Sequence, residues 1–271
     1  EMVIDLYSFM SFRSCLYYQV LYYQINKVGG MTPILFIHVF VFYYSIWEPQ
    51  IKFFKDQTTI TYDLIGHGLS TCILNEVSFE DFSNQIEGLL QILKIQKVII
   101  IGFSLGGLIA AHFSSTRKNQ VLKTVLFGTI FNRTEEQKKN AAERFIDVKE
   151  TYLNAPKQLD RWFNQDYLSS NTEIVKKITD ILSSNNHEDF LKSYKLFAHF
   201  EDKLIDFNQI EAETLVCTAH GDVGSTPEMS NQLGDVIEKS KVVIFDQGKH
   251  MVGIECAEEV NKVFSNFIEG M

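Results

Sequence analysis

With 271 residues, of which 45% are hydrophobic and 22% charged, the chain is long enough to bury a large core and too apolar to be disordered. A net charge of −9 argues against nucleic acid or an anionic membrane as partner, because both require clustered Lys and Arg. Four cysteines, Cys15, Cys72, Cys217 and Cys256, are scattered with no C-x-x-C and no His pairing, which speaks against disulfides and zinc and for a reducing, cytoplasmic setting.

Residues 1–25 mix aromatic, aliphatic and polar side chains; Leu16 to Leu21 reads as a strand and Asn26-Lys27-Val28-Gly29-Gly30 as a turn. The segment carries Glu1, Asp5 and Arg13 and lacks the basic start of a signal peptide. Met31 to Trp47 is nearly all apolar, but Thr32, Pro33 and His38 interrupt a run already short for a membrane span, so no stable membrane insertion is expected. Within it, Pro33 to His38 reads as a buried strand, and Thr58 to Asp63 as another that runs into the glycine-rich loop Gly66-His67-Gly68-Leu69-Ser70. Phe79 to Lys94 has apolar residues near helical spacing at Phe82, Ile86, Leu89 and Leu90.

Lys97-Val98-Ile99-Ile100-Ile101 is β-branched and apolar throughout, the pattern of a strand buried on both faces. It leads into Gly102-Phe103-Ser104-Leu105-Gly106, a G-x-S-x-G, and then into the apolar helix pattern from Leu108 to Phe113. Strand, glycine-flanked serine and helix together predict a nucleophile elbow, with glycines where side chains would collide across the turn. Leu122 to Phe127 is the next buried strand. Strands separated by helices imply a parallel sheet built from βαβ units.

From about Asn132 to Phe207 charged residues and helical periodicity replace buried strands, which reads as a helical insertion over 132–206 between core segments 1–131 and 207–271. Strands resume at Glu213–Thr218 and Lys241–Phe245, separated by a helix that Ser225-Thr226-Pro227 opens, and Ala257 to Glu269 closes the chain as an amphipathic helix.

A serine hydroxyl needs a base to take its proton and a third group to orient that base. Asp222 and His250 each follow a strand, in the loops Ala219–Pro227 and Gln247–Met251, and the order Ser104, Asp222, His250 is that of an α/β-hydrolase. Taken singly, Ser104 can make a turn, Asp222 can cap the next helix and His250 can sit on the surface. Taken together they predict a catalytic triad. An oxyanion hole requires two backbone N–H groups, expected from Leu105 and, in the loop after the strand 33–38, from Phe40. Trp162, Phe103 and Met251 are candidate substrate contacts, and Phe163, Phe197 and Phe200 add apolar side chains to the insertion.

These segments resemble the α/β-hydrolase superfamily from about Leu16 to Ile268. Pro33–His38 followed by Phe40 is similar to its oxyanion strand and loop, Asp63 to Ser70 resembles its D-x-x-G-H-G-x-S loop, and Ile254 to Asn261 resembles the segment after its catalytic histidine. Arg161-Trp162-Phe163 and Asp206 to Ile210 look most like the branch holding 3-oxoadipate enol-lactonases and related carboxylesterases. The resemblance implies an α/β fold: a mostly parallel central sheet flanked by helices, with a helical cap, or lid, inserted after the sixth strand. It also implies a serine hydrolase of small esters or lactones that uses no cofactor or metal. Two residues depart from the pattern. Val39 stands where glycine is usual, which is expected to crowd the acyl pocket, and Ala219 stands where glycine usually precedes the acid by three. The same fold and triad also serve C–C hydrolysis or elimination, and a non-catalytic binding or scaffold protein is a third reading. No sequence feature speaks to oligomeric state.

Overall fold

The run Val98 to Ile101 occupies the middle of a sheet because neither of its faces can be left in water, and the fold is built outward from it. The computed structural model describes residues 2–10, 19–29, 31–72, 74–151, 154–184 and 186–270. Its strands are β1 (Met2–Met10), β2 (Gln19–Asn26), β3 (Ile34–Ile37), β4 (Thr59–Tyr62), β5 (Val98–Phe103), β6 (Val121–Phe127), β7 (Glu213–Ala219) and β8 (Ser240–Phe245). They form one sheet in the order β1-β2-β4-β3-β5-β6-β7-β8. β1 and β2 pair antiparallel, as do β2 and β4, whereas every pair from β4 to β8 is parallel. All residues of β3, β4 and β5 are buried.

The strand expected over Leu16–Leu21 lies three residues later, as β2, with residues 16–18 outside the described residues, as is Gly30 of the expected turn. β1 has no counterpart in the sequence reading. Its polar residues Asp5 and Ser8 are three apart, which breaks the period of two, and its pairing with β2 shifts register between those same residues.

The helices are α1 (Glu48–Phe53), α2 (Phe79–Leu93), α3 (Leu105–Thr116), α4 (Glu135–Thr151), α5 (Ala155–Trp162), α6 (Gln165–Ser170), α7 (Thr172–Ser184), α8 (His187–Ala198), α9 (Pro227–Val236), α10 (Val252–Glu255) and α11 (Ala257–Glu269). α2 starts at a capping box in which Ser78 Oγ accepts the Asp81 N–H and Asp81 Oδ2 accepts the Ser78 N–H. Its buried stripe includes Phe82, Ile86, Leu89 and Leu90, and Ser83 Oγ meets His112 Nδ1 of α3 at 2.8 Å. α11 turns Val260 and Phe264 inward, with Phe264 edge-on to Phe127 of β6. Among the described residues five α-helices, α4 to α8, lie between β6 and β7. Among the described residues no helix is long and apolar enough to cross a membrane; the apolar stretch from Met31 to Trp47 becomes β3, a buried loop and a 3-10 turn. Cys72, Cys217 and Cys256 are free thiols.

The loop after β4 is tied to the loop after β3 by one buried carboxylate. Asp63 Oδ1 accepts the Tyr44 N–H and Oδ2 the Leu69 N–H, each at 2.9 Å. Gly68, at φ 54, leaves no room for a Cβ beside that carboxylate. Burial raises the Asp63 carboxyl from 3.8 to about 6, against the opposing pull of the two N–H groups. The folded state therefore holds a proton that the unfolded chain has released between these two pH values, so this group's contribution to stability falls as pH rises from 4 to 6. Relative to Asp63→Asn, the wild type is expected to lose ~3 kcal/mol of unfolding free energy across that window. Urea unfolding at a series of pH values measures it, and a pH-independent difference would contradict the assignment.

Candidate active site

β5 ends in a turn that only a narrow set of residues can make. Ser104 has φ 55 and ψ −111, a strained backbone for a non-glycine residue, and its N–H donates to the Phe127 carbonyl at 2.8 Å. A Cβ on Gly102 would strike the Gly106 carbonyl, and one on Gly106 would strike the carbonyls of Ile37 and His38. The start of α3 is thereby pressed against the end of β3. Leu105 opens the first turn of α3, next to the glycine that makes this contact. Ser104 Oγ is buried and makes no hydrogen bond among the described residues.

Asp222 and His250 are brought together from the loops after β7 and β8. His250 Nδ1 lies 2.6 Å from Asp222 Oδ2. Asp222 Oδ1 accepts N–H bonds from Gly224 at 2.8 Å and Ser225 at 2.9 Å. Burial alone would raise the Asp222 carboxyl, but the charge and hydrogen bond of His250, with the Ser225 and Gly224 N–H groups, hold it below the ordinary value. An ionised carboxylate only accepts, so Nδ1 carries a proton, and in the neutral ring the lone pair is on Nε2. Two further ties fix the histidine loop. Met251 N–H donates to the Trp162 carbonyl at 3.0 Å. Glu255 accepts the Lys249 N–H on Oε2 and the Asn164 N–H on Oε1, each at 2.7 Å, so one carboxylate clasps the loop and the inserted helices.

In the loop after β3, His38 Nε2 accepts the Leu64 N–H at 2.9 Å and Nδ1 meets the Val39 carbonyl at 2.7 Å. Burial, then the neighbouring His67, holds His38 well below its ordinary pKa, so the ring is neutral with one donor and one acceptor. His67 is also buried, with its ring 5.3 Å from that of His38 and Nδ1 3.1 Å from the Ile65 carbonyl. Val39, expected to crowd the acyl pocket, is not among the residues of positive φ; the left-handed residue of this loop is Val41, at φ 64. Val39 and Val41 are both fully packed into the core.

A cavity of about 140 Å³ opens over these groups, lined by Ser104, Asp222, His250, Phe40 and Trp162 among the residues singled out by sequence. The Phe40 ring stacks on Tyr194 at 4.9 Å and tilts against Phe197 at 5.2 Å. Phe103 and Met251, expected as substrate contacts, are not among its lining residues. Phe103 packs among Phe127, Trp47 and His250, and Met251 is 1% exposed. Of the insertion's aromatics, Phe197 lines the cavity, whereas Phe163 stacks on Tyr167 and Phe200 meets Phe79 edge-on. Sequence reasoning missed Arg133, Arg144 and Tyr194 on the wall, and noted Arg161 only as part of a resemblance. In a segment so rich in charge, nothing local separates an inward arginine from a solvated one. Among the described residues no group of three or more His, Cys, Asp or Glu side chains is placed to hold a metal ion.

A family model described as alpha/beta hydrolase fold matches residues 32–173. The (E)-2-((N-methylformamido)methylene)succinate hydrolase of Acinetobacter baylyi is 27% identical over 243 residues, covering 89% of this chain and 92% of that protein. The same organism's 3-oxoadipate enol-lactonase 1 is 22% identical over 251 residues, covering 92% of each. The crystal structure of the enol-lactonase from Burkholderia xenovorans LB400 superposes with a TM-score of 0.84 at 21% identity, covering 93% of this chain and 97% of that one. A match over more than half of the chain, on a sheet of this strand order with a strained serine between β5 and α3, places the protein in the α/β-hydrolase family.

Proposed function

We propose that the protein is a serine hydrolase that cleaves a small carboxylic ester or lactone through an acyl-enzyme on Ser104. The observation that carries this reading is the 2.6 Å bond from His250 Nδ1 to a buried, ionised Asp222, on the rim of the cavity that contains Ser104. It leaves Nε2 as the base for the serine hydroxyl.

In the first half-reaction, Ser104 Oγ attacks the substrate carbonyl as His250 Nε2 takes its proton. The resulting imidazolium is stabilised by Asp222 and returns the proton to the leaving oxygen. Water then repeats the sequence on the acyl-enzyme. The negative charge on the carbonyl oxygen is met by the backbone amides of Leu105 and Phe40, the first favoured by its position at the start of a twelve-residue helix. Phe40 and Trp162 form the apolar wall against which the acyl group rests. The segment 132–206 acts as the cap over the cavity. The two Acinetobacter relatives, one named a hydrolase of a methylene-succinate and one an enol-lactonase, are in keeping with a small substrate.

A fluorophosphonate probe is expected to label the wild type at neutral pH and to leave Ser104→Ala unlabelled; absence of Ser104-dependent labelling would sink the proposal. Asp222→Asn should lower kcat on 4-nitrophenyl acetate by roughly a thousand- to ten-thousand-fold, because the amide no longer fixes the tautomer of His250. A loss of less than about tenfold in a variant with unchanged circular dichroism would remove Asp222 from that role.

A further inference from the structure

Three arginines on the cavity wall have no part in the reaction just described. Arg133 follows β6, Arg144 lies on α4 and Arg161 lies in the last turn of α5, and all three line the cavity with Ser104 and His250. Arg133 is 8% exposed; its Nη1 donates to the carbonyls of Phe197 at 3.0 Å and Ala198 at 3.3 Å, and its guanidinium stands 4.9 Å over the Phe197 ring. Arg144 and Arg161 are half-buried, and Arg144 sits against Tyr194.

Among the described residues none of the three forms an ion pair with Asp or Glu. The carboxylates whose charge reaches them are Asp202, for Arg133, and Asp222, for Arg161, and Asp222 is engaged with His250. Burial, then the charge of Arg144, lowers the Arg133 guanidinium to about 10, and burial followed by Arg144 also lowers Arg161. Among the described residues Asp222 is the only acidic side chain on the wall, and Gln137, Asn140 and Gln158 add neutral amides. The cavity therefore bears two net positive charges in a chain whose total is −9.

Gathering like charges on a partly desolvated wall is unfavourable unless an anion offsets them. Guanidinium groups match a carboxylate through paired N–H bonds, and a cationic cleft in an acidic protein draws an anion to the one place where it is welcome. Building on the ester or lactone hydrolase reading, we propose that the substrate carries a free carboxylate remote from the scissile bond, held by Arg133, Arg144 and Arg161. The anion anchors the substrate to the inserted helices while the scissile carbonyl rests at Ser104.

Mono-4-nitrophenyl adipate and its ω-carboxamide analogue, equal in length but differing in charge, test the subsite. The wild type is expected to favour the acid by at least about tenfold in kcat/KM, the scale of one charge-assisted hydrogen bond. Arg144→Gln and Arg161→Gln should each cut the acid-to-amide ratio by about tenfold, and Arg144→Lys, which keeps the charge but not the paired donors, should fall between. Thermal unfolding of the substrate-free protein supplies a second readout. Removing one of three mutually repelling charges is expected to leave the melting temperature unchanged or raised, whereas arginines held for structure would lower it. A wild-type ratio at or below one, with fluorophosphonate still labelling Ser104, overturns the carboxylate subsite and leaves the hydrolase reading standing. Loss of labelling overturns the hydrolase reading itself.

Discussion

How closely α3 can approach the end of β3 governs the rest of the site. Gly106 lies directly against the carbonyls of Ile37 and His38, and Gly102 against the carbonyl of Gly106. Side chains at either glycine would drive the start of the helix off the end of β3. The same approach forces Ser104 into its left-handed backbone, whose cost of about 1–3 kcal/mol has to be borne by the surrounding packing. That packing is available because β5 is central, buried along its whole length and paired with parallel neighbours on both sides.

Around this contact the loops are stiffened by polar side chains that bond backbone groups. His38 must be neutral to serve both of its partners: an imidazolium would point a second N–H at the Leu64 N–H it now accepts. Asp63 bridges two loops with one carboxylate, and Glu255 does the same between the histidine loop and the inserted helices. In each case a side chain fixes backbone amides of segments distant in sequence. The loops that present the site therefore depend little on their own conformational preferences.

The parts of the molecule legible in the sequence are those governed by short-range chemistry. Val98 to Gly107 encodes strand, turn and helix in eleven residues with Lys97, and α2 and α11 show their buried stripes directly. The meeting of Asp222 with His250 is legible from the order of the strands before them, since a parallel sheet delivers successive loops to one edge. What the sequence hides depends on through-space packing. Nothing in the residue types around it marks Val41, a β-branched residue, as the position that takes a left-handed backbone. Phe103 and Met251 flank the triad residues in sequence yet point into the core, and the inward face of α4 and α5 appears only once those helices are docked.

The bond between the Met251 amide and the Trp162 carbonyl has a further consequence. It joins the residue after His250 to the last residue of α5 through backbone atoms alone, so side chains at both positions can drift without loosening it. The inserted helices and the histidine loop are thereby tied directly to each other, despite the 89 positions that separate residues 162 and 251. Grafting the insertion of a related enzyme onto this core would preserve the alignment of the imidazole only if the donor ended its second helix at the same height above the sheet.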